Sequence, residues 1–208
     1  MSTASLIARL GARLIGALAR YLAEPVSRPA ASSDVLALSP LLRPGDVLLT
    51  GGNTRAAALA RRLTRSPWAH VSIYVGPLEP GVDSRCIVEA DISAGVRAVP
   101  LSEFKGQRAR IVRPLGLNEN DRQRLADWLV SRIGAPYDLT LAWALTRRCL
   151  KLPAPRAMVQ DKKRFICSSL LAQAFLFVGY PIVDSQTSYV VPRDFESAAG
   201  FEVVTAPG

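Results

Sequence analysis

The chain carries one histidine, His70, and three cysteines, Cys86, Cys149 and Cys167. A single imidazole restricts acid–base chemistry to few pairings. A thiol becomes a strong nucleophile only on losing its proton, and imidazole is the side chain best suited to take that proton near neutral pH. Cys167 lies in FICSSLLAQAF (165–175), at the start of a predicted helix. The unpaired N–H groups and partial positive charge there favour thiolate over thiol, and the same N–H groups could hold an oxyanion formed on a substrate. His70 follows SPWA and opens a strand, on the face shared with Ser72 and Tyr74. Glu89 interrupts the apolar run IVEA (87–90), where an inward carboxylate needs a partner. Were the two strands neighbours, Glu89 would accept the second imidazole proton and fix the ring, as a triad acid does. Each residue also has a plainer reading: Cys167 as a small buried hydrophobe, His70 as a hydrogen-bonded structural histidine, Glu89 as an exposed strand-edge carboxylate. Cys86, in an apolar strand, and Cys149, in a helix ending among arginines, have no second histidine to serve them and read as structural.

Several elements must position these groups. RPGD (43–46) is a turn leading into a short buried strand, VLLT (47–50). A helix is predicted over Thr54–Arg65 and is broken by SPW (66–68). AHVSIYVG (69–76) alternates as a half-buried strand does, with Val71, Ile73 and Val75 on one face. Further strands are predicted at 85–90, 95–99 and 108–112. A helix begins at Asn118, presents Leu125, Trp128, Leu129 and Ile133, and ends at Gly134 and Pro136. Others are predicted over 139–150 and over 166–178, the latter closed by Gly179 and Pro181. The fold class is α+β: a small antiparallel sheet or barrel with helices packed on one side.

Residues 4–23 read as an amphipathic helix, with Arg9, Arg13 and Arg20 on one face and Leu10, Leu14, Leu18, Tyr21 and Leu22 on the other. Arginines interrupt the uncharged run a signal peptide needs, so the segment suits an anionic membrane surface, a face of its own domain or a partner instead. The expected organisation is an N-terminal helix over 1–24, a Pro/Ser/Ala-rich linker over 25–40, and one catalytic domain over 41–208. Hydrophobic residues make up 49% and charged residues 21%, an ordinary globular balance, and the formal net charge is +9. That charge points to an anionic neighbour. Nucleic acid fits least, since no zinc-ligand spacing, recognition helix or interleaved basic and aromatic stripe is present. Basic runs at 105–113 and 161–164 leave membrane contact open. Three cysteines form no disulfide framework, and reduced thiols suit the cytoplasm, at or beside a membrane.

Together, RPGDVLL (43–49), SPWAHVSIYVG (66–76), IVEA (87–90), GAPYD (134–138) and FICSSL (165–170) occur in the order found in the permuted papain-like amidases, the YiiX/YaeF group of the NlpC-type superfamily, which the chain resembles. The resemblance implies a papain-like fold, circularly permuted so that His precedes Cys. It also implies that Cys167 caps a helix against a sheet carrying His70 and Glu89, and that Tyr137 lies beside the cysteine; from residues alone Tyr137 is only a turn residue. The N-terminal helix, the linker and the stretch Thr140–Arg164 depart from the resemblance. The expected activity is hydrolysis of a small-molecule, peptide or lipid substrate carrying an amide or ester, through a thioester and without metal or cofactor. A lipid-directed hydrolase or acyltransferase at a membrane, and a non-catalytic lipid- or partner-binding module, are the alternatives.

Overall fold

The computed structural model describes residues 21, 24, 35–78, 86–152, 163–183 and 190–204. The predicted N-terminal helix and the linker up to residue 34 lie outside these, apart from Tyr21 and Glu24.

Short β-branched runs separated by turns pair as six antiparallel strands: β1 (Val47–Thr50), β2 (His70–Gly76), β3 (Cys86–Asp91), β4 (Gly95–Pro100), β5 (Ala109–Pro114) and β6 (Phe201–Val204). Their order is β4-β3-β2-β1-β5-β6, so the sheet stays open with β4 and β6 at its edges. β1, buried at every residue, is central. Its register sets Thr50 opposite His70 and Leu49 opposite Val71. Directly opposed residues share a face, so Val47, Leu49, Val71, Ile73, Val88 and Val112 build one core. Leu48, Ile87, Val99 and Ile111 build a second on the other face.

The helices over 119–130, 167–177 and 194–197 pack on the first face, where they bury Leu125, Leu129, Leu170, Phe175 and Phe195. α1 (Arg55–Thr64) is capped by Thr54, whose hydroxyl accepts the Ala57 N–H at 3.1 Å. α2 (Glu119–Val130) is capped by Asn118 and buries Leu125 and Leu129. α3 (Leu139–Cys149) starts from Asp138, whose carboxylate accepts the Leu141 N–H at 2.9 Å. α4 (Cys167–Phe177) is apolar nearly all round and correspondingly central. α5 (Asp194–Ser197) is a single turn. The second face is covered by two 3₁₀ helices, Val35–Leu41 and Leu101–Phe104. Residues 35–40, read as linker, are therefore part of the packed fold, with Val35 fully buried in the second core.

One ion pair ties the sheet together. Asp46, wholly buried, accepts Arg113 Nε at 2.8 Å on one oxygen and Nη2 at 2.7 Å on the other, as well as the Arg43 N–H at 2.8 Å. The RPGD turn is thus fastened to β5 by its aspartate.

Candidate active site

Cys167 is the first residue of α4, and that turn is fixed from three sides. The Ile166 N–H donates to Ser169 Oγ at 3.1 Å. Ser168 Oγ donates to the Val190 carbonyl at 2.5 Å. Ahead of the helix, Phe165 pairs with Tyr137 in a parallel bridge and packs its ring edge-on to Trp128, 6.1 Å away. The β2–β3 ladder runs from Ile73 opposite Val88 to Gly76 opposite Cys86. Val71 lies beyond it, and its N–H donates to the Cys167 sulfur, as does that of Ser168.

His70 hydrogen-bonds to the same sulfur. Its Nε2 is 2.7 Å from Glu89 Oε2, which leaves Nδ1 to face the thiol. The other Glu89 oxygen, Oε1, takes Arg97 Nε at 2.9 Å and Nη2 at 2.7 Å. Arg97 Nη2 also reaches Glu103 Oε2 at 3.2 Å. The Glu89 side chain is only 5% exposed, so both oxygens must be satisfied within the protein.

These contacts set the protonation states. Burial pushes the Cys167 thiol up, but the adjacent His70 charge, its hydrogen bond and the two backbone N–H groups outweigh burial and hold the thiol below its ordinary value. Burial likewise pulls His70 down, and the Cys167 and Glu89 interactions more than reverse it, so the imidazole sits well above its ordinary value. Burial raises Glu89, yet the bond to His70, then the charges of His70 and Arg97, bring it below the usual carboxylate range. All three shifts favour a thiolate–imidazolium–carboxylate chain.

The group opens onto a cleft of about 360 Å³. Ala56, Ala57 and Ala60 of α1 form one wall; Asp91, Ile92, Arg97, Glu103 and Gln107 line the rest, with Tyr137 and Cys167 among the lining. Tyr137 is brought there by GAPYD docking on β4: the Gly134 N–H donates to the Val96 carbonyl and the Val96 N–H to the Ala135 carbonyl, both at 2.8 Å. Burial, and then the charge on Cys167, push its phenol upward, so Tyr137 stays a hydrogen-bond donor. The structure thus brings Cys167, His70, Glu89 and Tyr137 to one place. Cys86 and Cys149 do not line the cleft. Reading by residue type missed Arg97, hidden between valines in GVRAV, although a tight turn between β3 and β4 would have set it opposite Glu89. It also missed Thr50, a cleft-wall residue whose buried hydroxyl has no partner among the described residues.

An open antiparallel sheet, a helix that begins at a cysteine and a histidine ahead of it in sequence define a papain-like hydrolase architecture in permuted order. The chain belongs to the permuted papain-like amidase family (YaeF/YiiX, C92), whose model matches residues 41–196. The crystal structure of yiiX from Escherichia coli O157:H7, described as a metalloprotein, has the same fold: TM-score 0.59 at 16% identity, covering 79% of this chain and 97% of that one. Among the described residues here, no group of three or more His, Cys, Asp or Glu side chains could hold a metal ion. No curated protein matches the chain.

Proposed function

We propose that this chain is a cysteine-dependent hydrolase of the amidase or peptidase kind, with Cys167 as nucleophile, His70 as base and acid, and Glu89 as the group orienting the imidazole. Family membership supports the hydrolase kind. The observation that carries the residue roles is the unbroken contact from sulfur to imidazole to carboxylate at the edge of an open cleft.

The resting pair is thiolate and imidazolium. The thiolate attacks the carbonyl carbon of an amide or ester, and the carbonyl π pair moves onto oxygen. The Cys167 N–H, which has no partner within its helix, and the Tyr137 hydroxyl are the donors available to that oxyanion. His70 gives its Nδ1 proton to the leaving nitrogen or oxygen as that bond breaks, leaving a thioester on Cys167. Water then attacks, His70 takes its proton, and collapse expels the thiolate with the acid as product. An alcohol or amine in place of water completes acyl transfer.

Labelling by an electrophilic thiol probe, localised by peptide mass spectrometry, tests the assignment. Labelling at residue 167 should be fast in the wild type and dependent on His70. Cys167→Ala should abolish turnover of any ester or amide found to be a substrate, and full turnover in that variant would remove the central role.

A lipid-directed reading is favoured by one surface. α3 and the residues after it expose Leu139, Trp143, Leu150 and Leu152, with the Arg147 guanidinium over the Trp143 ring. Residues 139–152 contain no Asp or Glu, and neither does α1, which exposes Leu59. An apolar, cationic face suits an anionic bilayer. Among the described residues no helix is long and apolar enough to cross a membrane. Flotation with phosphatidylglycerol vesicles, with and without residues 1–30, separates this reading from a soluble amide substrate. A binding module without catalysis would instead leave Cys167 titrating as an ordinary thiol.

A further inference from the structure

Glu89 sits between two partners on neighbouring strands. Its Oε2 faces His70 Nε2 at 2.7 Å, and its Oε1 is held by Arg97 Nε at 2.9 Å and Nη2 at 2.7 Å. Arg97 is directly opposite Glu89 in the β3–β4 ladder, so the contact is built into strand register. A buried carboxylate with one bonded oxygen could rotate about its terminal torsion, which is broad and weakly restrained. The Nε–H hydrogen bond and the adjacent Nη2 charge on Oε1 oppose that rotation and leave Oε2 aimed at the imidazole.

We propose that Arg97 is a positioning residue for the Cys167–His70 pair, locking the Glu89 carboxylate so that it holds the His70 ring and stabilises the imidazolium. This rests on the roles proposed for Cys167, His70 and Glu89 and adds a fourth residue to them. Arg97 touches neither the sulfur nor a reacting atom and acts through Glu89. Glu103, from the 3₁₀ helix Leu101–Phe104, braces its outer side at 3.2 Å, while Asp91 adds a third negative charge nearby. The charged and titratable groups facing the relay are therefore His70 from β2, Glu89 and Asp91 from β3, Arg97 from β4, Glu103, Cys167 from α4, and Tyr137. Burial lowers the guanidinium's proton affinity, but Glu89, with Asp91 and Glu103, more than offsets it, so Arg97 stays cationic throughout. A lysine would supply the charge but not the two-donor fork.

The test uses the full chain with iodoacetamide as probe, following carbamidomethylation of Cys167 by peptide mass spectrometry from acid to alkaline pH. In Arg97→Met the titration midpoint of Cys167 should rise by about one unit, which is about a tenfold loss of reactivity on the acid side, and Arg97→Lys should recover part of it. His70 is the chain's one histidine, so its hydrogen-bonded Nε2–H gives a single downfield proton resonance. That signal should persist in the wild type and in Arg97→Lys and be lost to exchange in Arg97→Met. Should Arg97→Met not fold, as judged by circular dichroism, Arg97→Gln carries the same two readouts. A folded, uncharged variant with an unchanged profile and resonance overturns the role. An ordinary wild-type thiol titration alongside a resonance that still depends on Arg97 would remove the nucleophile assignment and leave the positioning role standing.

Discussion

A thiol shut away from water resists ionisation, because the thiolate has the most solvation to lose. At Cys167 that penalty is outweighed by neighbours: the His70 charge, its hydrogen bond, and two backbone N–H groups. The dependence is mutual, since the Cys167 charge is the chief influence raising His70 against its own burial. Cys167→Ala should therefore lower the His70 titration midpoint, the direction burial alone dictates, and the one imidazole makes this readable by NMR without assignment. A midpoint unchanged in that variant would mean that sulfur and ring do not share a proton. Glu89→Gln removes the charge that stabilises the imidazolium while keeping the side chain's size. It should reduce any measured turnover by roughly 10²–10⁴-fold, and Cys167 alkylation at neutral pH by at most about 30-fold, the thiolate lost as the Cys167 midpoint moves up toward that of an ordinary thiol.

At the scale of elements, the cleft depends on GAPYD lying against the β3–β4 hairpin. Gly95 makes that possible: its φ of +75° is in the left-handed region, and a Cβ there would run into the Ala135 carbonyl oxygen. Gly95→Ala should displace Tyr137 as well as strain the turn, costing about 1–3 kcal/mol of stability. Urea denaturation would measure that cost, and weaker substrate turnover would report the displacement; a variant with wild-type stability would show that the close approach is not obligatory. Much of this level was legible in the residues. Alternation in HVSIYV separates the faces of β2, Gly179 and Pro181 mark where α4 stops, and the IVEA anomaly shows that Glu89 needs partners. What was not legible is tertiary. β6 comes from FEVV, a run too short to announce itself, and is a strand because β5 offers it an edge. The segment 35–40 reads as linker because the apolar contacts that bury Val35 are with residues distant in sequence. Tyr137 has no local signal for its place: β4 and Phe165 supply it, and only resemblance anticipated it.

Over the whole molecule, 26 Lys and Arg face 17 Asp and Glu, so the native state already carries excess positive charge. Acid removes the carboxylates and leaves those cations uncompensated, which expands the chain by self-repulsion. Glu89 adds a separate contribution. Its pKa is depressed in the folded state, so it stabilises the fold above the usual carboxylate range, and that stabilisation disappears as pH falls through the depressed value. The two effects differ in their response to salt. Repulsion among exposed cations is screened over about 8 Å at physiological ionic strength, whereas Glu89, 5% exposed and held between His70 and Arg97, is screened far less. Urea midpoints measured from pH 7 down to pH 3, at low and at high salt, should therefore show salt restoring part of the wild type's acid loss. The gap between wild type and Glu89→Gln should be widest near neutrality, close as Glu89 protonates, and change little with salt. A gap that salt abolishes, or one that widens toward acid, would mean that the carboxylate is not ionised in the folded protein and that the chain from Cys167 to Arg97 lacks its negative centre.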